Sequence, residues 1–163
     1  MSELIIKQRL LSLLDSFNVT DEKGKVKYKV KGKMSMSRHK LVVYDAKGRE
    51  LATLKEKIVK LMPTFNVIVG GKTIGRIKKE VTVFRPKYHV DFRNWNVTGN
   101  IVEWDYTIKE GNKVVAVTRK KLFRLTDTYS ITVNDPADEL DALLVILAID
   151  AARCAKGKDG EDI

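Results

Sequence analysis

Leu140-Asp141-Ala142-Leu143-Leu144-Val145-Ile146-Leu147-Ala148-Ile149-Asp150-Ala151-Ala152-Arg153-Cys154 is the stretch on which the fold turns. Just before it, Asn134-Asp135-Pro136-Ala137-Asp138-Glu139 reads as a helix start. Asp135 is the N-cap, Pro136 takes the first helical position, and two carboxylates lie in the first turn, where the helix dipole favours them. The helix that follows, from Pro136 to about Cys154, is apolar nearly all round, and such a helix is enclosed rather than laid on a surface. Its uninterrupted apolar run, Ala142 to Ile149, is bounded by Asp141 and Asp150. A membrane span needs about 20 predominantly apolar residues, so this run is too short to cross a bilayer. A buried rod is expected, about 28 Å long and roughly 10 to 12 Å wide.

The remainder of the chain must then supply a sleeve. A phrase recurs along it: an aromatic or leucine, a second apolar residue two places on, a polar turn, and another apolar stretch ending in basic residues. Its anchors are Phe17, Leu41, Phe65, Tyr88, Tyr106 and Tyr129. Self-similarity on this scale signals a repeated supersecondary unit. Alternation of period two, clearest in Val26-Lys27-Tyr28-Lys29-Val30-Lys31, makes each unit a β-hairpin with one apolar and one lysine face. Turn signals lie between paired strands at Asp21-Glu22-Lys23-Gly24, Asp45-Ala46-Lys47-Gly48, Gly70-Gly71 and Glu110-Gly111-Asn112; the Tyr88 unit has Arg93-Asn94-Trp95 instead. Six hairpins give about twelve strands. A twisted sheet of that size tends to close, which removes its edges, and a barrel that wide needs a plug.

The fold class read from the sequence is therefore mainly β with one buried helix, a closed antiparallel barrel of about twelve strands around a C-terminal helix. Residues 1–155 are expected to form one domain, with 156–163 as a flexible charged tail. The length of 163 residues suits one hydrophobic core. Cys154 is the single cysteine, which excludes a disulfide-framed scaffold, and residues Met1 to Leu14 carry Glu3, Lys7 and Arg9 where a secretory signal would be apolar. A cytoplasmic protein is expected. Charge is uneven: residues 1–130 hold 28 Lys and Arg against 13 Asp and Glu, whereas 131–163 hold 3 against 8. A positive field of this kind attracts phosphate-bearing partners, while a lysine-rich surface also keeps a β-protein soluble.

Lys31-Gly32-Lys33 followed by the Leu41-Val42-Val43-Tyr44-Asp45 strand, the Phe84-Arg85-Pro86-Lys87-Tyr88 segment and the Asp138-Glu139-Leu140 to Ile149-Asp150 helix together resemble the LURP-one-related family, of the tubby C-terminal-like and phospholipid scramblase-like superfamily. The likeness runs from about Ile5 to Cys154. It implies a twelve-stranded barrel around a C-terminal helix, in agreement with the reading from residues. It also implies, by analogy with tubby relatives, phosphoinositide headgroup binding, although tubby's headgroup motif has no residue-by-residue match here.

Catalytic chemistry is thinly supplied. His39 and His89 lie in or beside strands, Cys154 has no histidine or CxxC partner in sequence, and two histidines with one cysteine fall short of a zinc site. Asp141 and Asp150 lie on nearly opposite sides of the helix, and Asp150 can pair with Arg153. No catalytic residue, metal or cofactor is expected. The candidate ligand contacts are basic: Lys27, Lys29 and Lys31, expected to share one strand face with Lys25 and Lys33; Arg76, Lys78 and Lys79; Arg85 and Lys87; Arg119, Lys120 and Lys121. If several converge, anionic phospholipid at a membrane surface is the expected partner and attachment is peripheral. A protein-interaction or regulatory module is the second reading. Nonspecific nucleic-acid binding is the third, though no nucleic-acid motif supports it.

Overall fold

A computed structural model of the chain describes residues 1–7, 16–35, 38–59, 62–80, 87–100, 105–121 and 128–159. Its strands are β1 (Ser2–Ile6), β2 (Ser16–Thr20), β3 (Val26–Ser35), β4 (Arg38–Asp45), β5 (Glu50–Val59), β6 (Met62–Val69), β7 (Lys72–Glu80), β8 (Lys87–Val90), β9 (Trp95–Asn100), β10 (Asp105–Glu110), β11 (Lys113–Lys120) and β12 (Tyr129–Val133). A 3-10 turn, Pro136–Asp138, leads into the helix α1 (Glu139–Asp159). The strands form one closed antiparallel barrel in which each pairs with its neighbours in sequence, and β1 closes the ring against β12.

That closure corrects the count of hairpins. Five repeat units, anchored at Phe17, Leu41, Phe65, Tyr88 and Tyr106, open the hairpins β2–β3, β4–β5, β6–β7, β8–β9 and β10–β11. The sixth, at Tyr129, has no second strand after it, because the helix start follows at once. Its strand pairs instead with β1, Ser2 opposite Val133 through Ile6 opposite Tyr129. Strand β1 carries Leu4 and Ile6 at no more than 3% exposure, in a stretch too short and too mixed for periodicity to mark.

The helix is the plug. From Ala142 to Ala152 every side chain is at most 4% exposed, Asp150 included. Around it lie the inward residues of the strands, among them Leu41, Leu54, Ile77, Trp95, Tyr106 and Ile131, all within 2%. Burying a leucine or isoleucine fully stabilises the fold by roughly 1.5 to 3 kcal/mol, so a helix with no polar face is held by packing on all sides. The start is as expected: the Asp135 carboxylate accepts from the Ala137 N–H at 3.0 Å, with Pro136 following. The helix continues through Asp159, past Cys154 and into the residues expected as a tail. The expected Asp150–Arg153 pair falls on a side chain outside those described, as does Cys154.

The turns at the mouth nearest the helix start repeat one design. Asp21 Oδ1 accepts from the N–H groups of Lys23 and Lys25, and Asp45 Oδ1 accepts from Lys47 and Arg49, each at 2.9 Å. Gly24 and Gly48 take positive φ values of 80° and 86° beside them. Where the Tyr88 unit lacks glycine, Asn94 adopts φ 52°, in the left-handed region that asparagine tolerates. Four hairpins also carry a bulge in their second strand, at Lys27, Leu51, Ile74 and Val115, where pairing skips one residue. Bulges add twist and help a sheet curl closed.

If α1 is a packed plug, Leu144→Ala should lower unfolding free energy by about 2 to 5 kcal/mol and Leu144→Met by less than about 1.5 kcal/mol. Chemical denaturation of the three proteins measures this. Equal stability of Leu144→Ala and wild type would place the helix outside the core.

Candidate functional site

A charged first turn on a helix enclosed by apolar walls needs partners at the mouth of the barrel. Glu139 is 4% exposed. Its carboxylate accepts from Tyr28 Oη at 2.7 Å and from Lys27 Nζ, which lies 2.7 Å from Oε1 and 2.9 Å from Oε2. Burial pushes the Glu139 carboxyl up, but the hydrogen bonds and charge around it outweigh burial and hold it below the usual carboxylate range. Tyr28 is raised by burial and by the adjacent carboxylate. Across the mouth, Arg93 from the β8–β9 turn bonds Asp138 through Nη2 and sets Nε 3.2 Å from Asp141 Oδ2, at ion-pair distance but without hydrogen-bond alignment. The guanidinium lies 4.7 Å from the Trp95 ring centroid, within cation–π range. Two cations from the wall thus clasp three carboxylates of the plug.

Lys27 reaches Glu139 because of the bulge. Tyr28 stands opposite Val19 and Val26 opposite Thr20, so Lys27 is the unpaired extra residue and the strand changes phase there. The expectation that Lys25, Lys27, Lys29, Lys31 and Lys33 share a face is thereby corrected. Lys29, Lys31 and Lys33 point outward, Lys27 turns to the mouth, and Lys25 belongs to the turn.

The outer wall gathers cations that sequence clusters did not show. Lys33 stands opposite Lys40, Lys40 opposite Lys55, Lys55 opposite Asn66 and Asn66 opposite Arg76. The next row runs Lys57, Thr64, Lys78, His89, Asn96, Lys109 across β5 to β10. Neither row contains a carboxylate. Tyr44 lies in the same wall, with Lys31 Nζ 5.5 Å and Lys33 Nζ 5.7 Å from its ring centroid, and Lys33 donating to its hydroxyl at 3.0 Å. Lys40, Lys55, Lys57 and Lys109 stand outside the basic runs of the sequence, because their place in these rows is a product of register, which such runs do not encode.

Other candidates disperse. Arg76 pairs with Asp91 at 3.3 Å, Lys87 with Glu80 at 3.7 Å and Lys121 with Glu3 at 2.8 Å. Lys79 and Lys120 stand opposite Tyr88 and Tyr129, in the inward phase, so consecutive basic residues divide between two faces. Arg119 is on β11, across the barrel from β5. Arg85 lies outside the described residues. His39 Nδ1 is 3.3 Å from Glu56 Oε2, and His89 Nδ1 is 3.1 Å from Asn96 Oδ1. Among the described residues no group of three or more His, Cys, Asp and Glu comes together, and no helix is long and apolar enough to cross a membrane.

Comparison with known proteins adds to this geometry. A family model described as LURP-one-related matches residues 2–150. The Bacillus subtilis (strain 168) protein YxjI is 27% identical over 150 residues, covering 92% of this chain and 93% of its own. Protein LURP-one-related 15 of Arabidopsis thaliana is 28% identical over 172 residues, covering 89% and 78%. An X-ray structure of an Arabidopsis thaliana protein superposes with a TM-score of 0.58 at 20% identity over 90% of both chains, a likeness of fold.

The clasp generates a pH dependence. Glu139 has a folded pKa below its unfolded value, so its contribution to stability is present at neutral pH and is lost as pH falls through the depressed folded value. Asp141 has the opposite sign: burial raises it, against the Arg93 charge, so its own effect favours the fold as pH falls. Glu139→Gln should cost about 1 to 3 kcal/mol at pH 7, and the gap from wild type should close on acidification. Urea unfolding at stepped pH measures it; a gap that widens in acid would refute the assignment.

Proposed function

This chain belongs to the LURP-one-related family, and from that membership and the charge layout of its wall we propose that it is a non-catalytic barrel that docks on anionic phospholipid headgroups. The observation that carries the reading is the register Lys33–Lys40–Lys55. Like charges directly opposite on adjacent strands destabilise a sheet by roughly 0.2 to 1 kcal/mol per pair. A wall that keeps two such pairs side by side, in a row without carboxylates, is relieved when phosphate groups lie across it. Phosphates on a membrane surface meet a lysine row as a line of charges, and Lys31 and Lys33 over the Tyr44 ring keep their stems laid along the wall.

The two histidines argue against catalysis as the role of the barrel. His39 shares the inward phase of Leu41, and His89 faces outward opposite Lys78, so their imidazoles do not converge on one reacting position. Each lysine at an anionic membrane surface contributes about 1 kcal/mol, so Lys33, Lys40 and Lys55 together supply about 3 kcal/mol, roughly a hundredfold in partitioning.

Vesicle co-sedimentation tests this. Binding to phosphatidylserine or phosphoinositide vesicles at low salt, none to neutral phosphatidylcholine, and about a hundredfold loss in a Lys33→Glu, Lys40→Glu, Lys55→Glu variant is the expected result. Absence of binding at low salt would sink the reading. Equal affinity for a DNA duplex with a steep salt slope would replace it with general polyanion attraction.

A further inference from the structure

The seam between β1 and β2 is short and lies beside an open depression. Strand β1 pairs with β12 along its whole length, yet on its other edge, among the described residues, it meets β2 in a single register pair, Ile5 opposite Thr20. Ser2, Glu3 and Leu4 therefore run past the end of β2, which gives way to the Asp21 turn. In an antiparallel strand, alternate residues direct their backbone N–H and C=O groups to opposite neighbours. Part of the Ser2–Glu3 backbone is accordingly directed at this seam, where β2 offers no ladder, while Leu4 is fully buried. Closure removes most of the barrel's edges; a short one remains on β7, where Lys72 to Gly75 run past the end of β8, and another remains here on β1.

Beside that edge opens a depression of about 600 Å³, lined by the start of β1 and by the two twin turns. Its volume falls within the range of roughly 300 to 1,000 Å³ typical of ligand sites. The carboxylates of its lining are mostly engaged. Asp21 and Asp45 hold their own turns, Asp45 also pairs with Arg49 at 2.6 Å, and Glu3 pairs with Lys121. Lys27 is committed to Glu139. Lys23, Lys25 and Lys47 have no carboxylate partner among the described residues, and Glu22 is the acidic group left beside them. Val26, Ala46 and Met1 give the same depression apolar surface.

We propose that this seam receives an extended acidic peptide as an added strand. The peptide backbone pairs with the free edge of β1, its apolar side chains enter the depression, and its carboxylates meet Lys23, Lys25 and Lys47. Strand addition of this type draws affinity from main-chain hydrogen bonds and selectivity from alternate side chains. The site is separate from the lysine rows, which run across β3 to β10, and stands without the lipid reading.

Titration calorimetry with the full chain tests it, using a capped Glu-Val-Glu-Val-Glu-Val peptide. A second peptide has the central valine replaced by proline, which removes a main-chain N–H. Saturable binding is expected, weakened by about tenfold or more for the proline peptide and for the Lys23→Glu, Lys25→Glu, Lys47→Glu variant. Lys40→Glu with Lys55→Glu should leave it unchanged. Amide exchange at whichever of Ser2 and Glu3 faces the seam should slow in the complex. No saturable binding at millimolar peptide overturns the proposal, and so does equal binding of the proline peptide or of the lysine-reversed variant.

Discussion

The structure depends on enclosing a helix that has no face suited to water. Between Ala142 and Ala152 the chain offers solvent nothing polar except Asp150, and Asp150 itself is buried. Such a helix is unstable as a lone segment and becomes stable only inside a wall that touches it all round. The width of the wall follows from the width of the rod, and the number of strands follows from that width. The helix cannot slide, because its first turn is charged and buried. Lys27 with Tyr28 on one side and Arg93 on the other fix the depth at which it sits. Removing one member of a buried ion pair leaves the other charge uncompensated, so these contacts set position as much as they add stability.

The wall has a second task, which is to place charge. Register decides which lysines become neighbours, and bulges decide where the register changes phase. The bulge at Lys27 takes one lysine out of the outer row and gives it to the plug. The same device at Ile74 leaves an isoleucine 44% exposed. One local irregularity, repeated in four hairpins, thus curves the sheet and sorts side chains between the mouth, the inside and the outside.

Most of the architecture was legible in the residues. Periodicity of two, turn residues at regular intervals and an all-round apolar helix with an N-cap lead to a plugged barrel without any structural knowledge. The turn at Arg93 was visible as an exception, and its oddity was the one sequence signal of the clasp. What was not legible has a common cause. Bulges leave no mark in an alternating lysine pattern, so Lys27 looked equivalent to Lys29. Pairing between strands is invisible to a scan of neighbours, so Lys40 and Lys55 carry no local signal, and Lys79 and Lys120 read as members of basic clusters that the strands divide between two faces. Strand β1 carries no such signal, because five residues are too few to establish a period.

The ring is shut by a ladder between β1 and β12, strands drawn from opposite ends of the barrel-forming sequence. A ribosome delivers β1 first and β12 last, with the rod later still. Until translation has passed α1, the growing sheet has neither its last neighbour nor its filling, and its apolar surface stands open to other chains. Contacts of such sequence separation form slowly, and exposed edges aggregate. The order of synthesis thus leaves the nascent polypeptide exposed to association for longest at the very surface that the finished ring conceals.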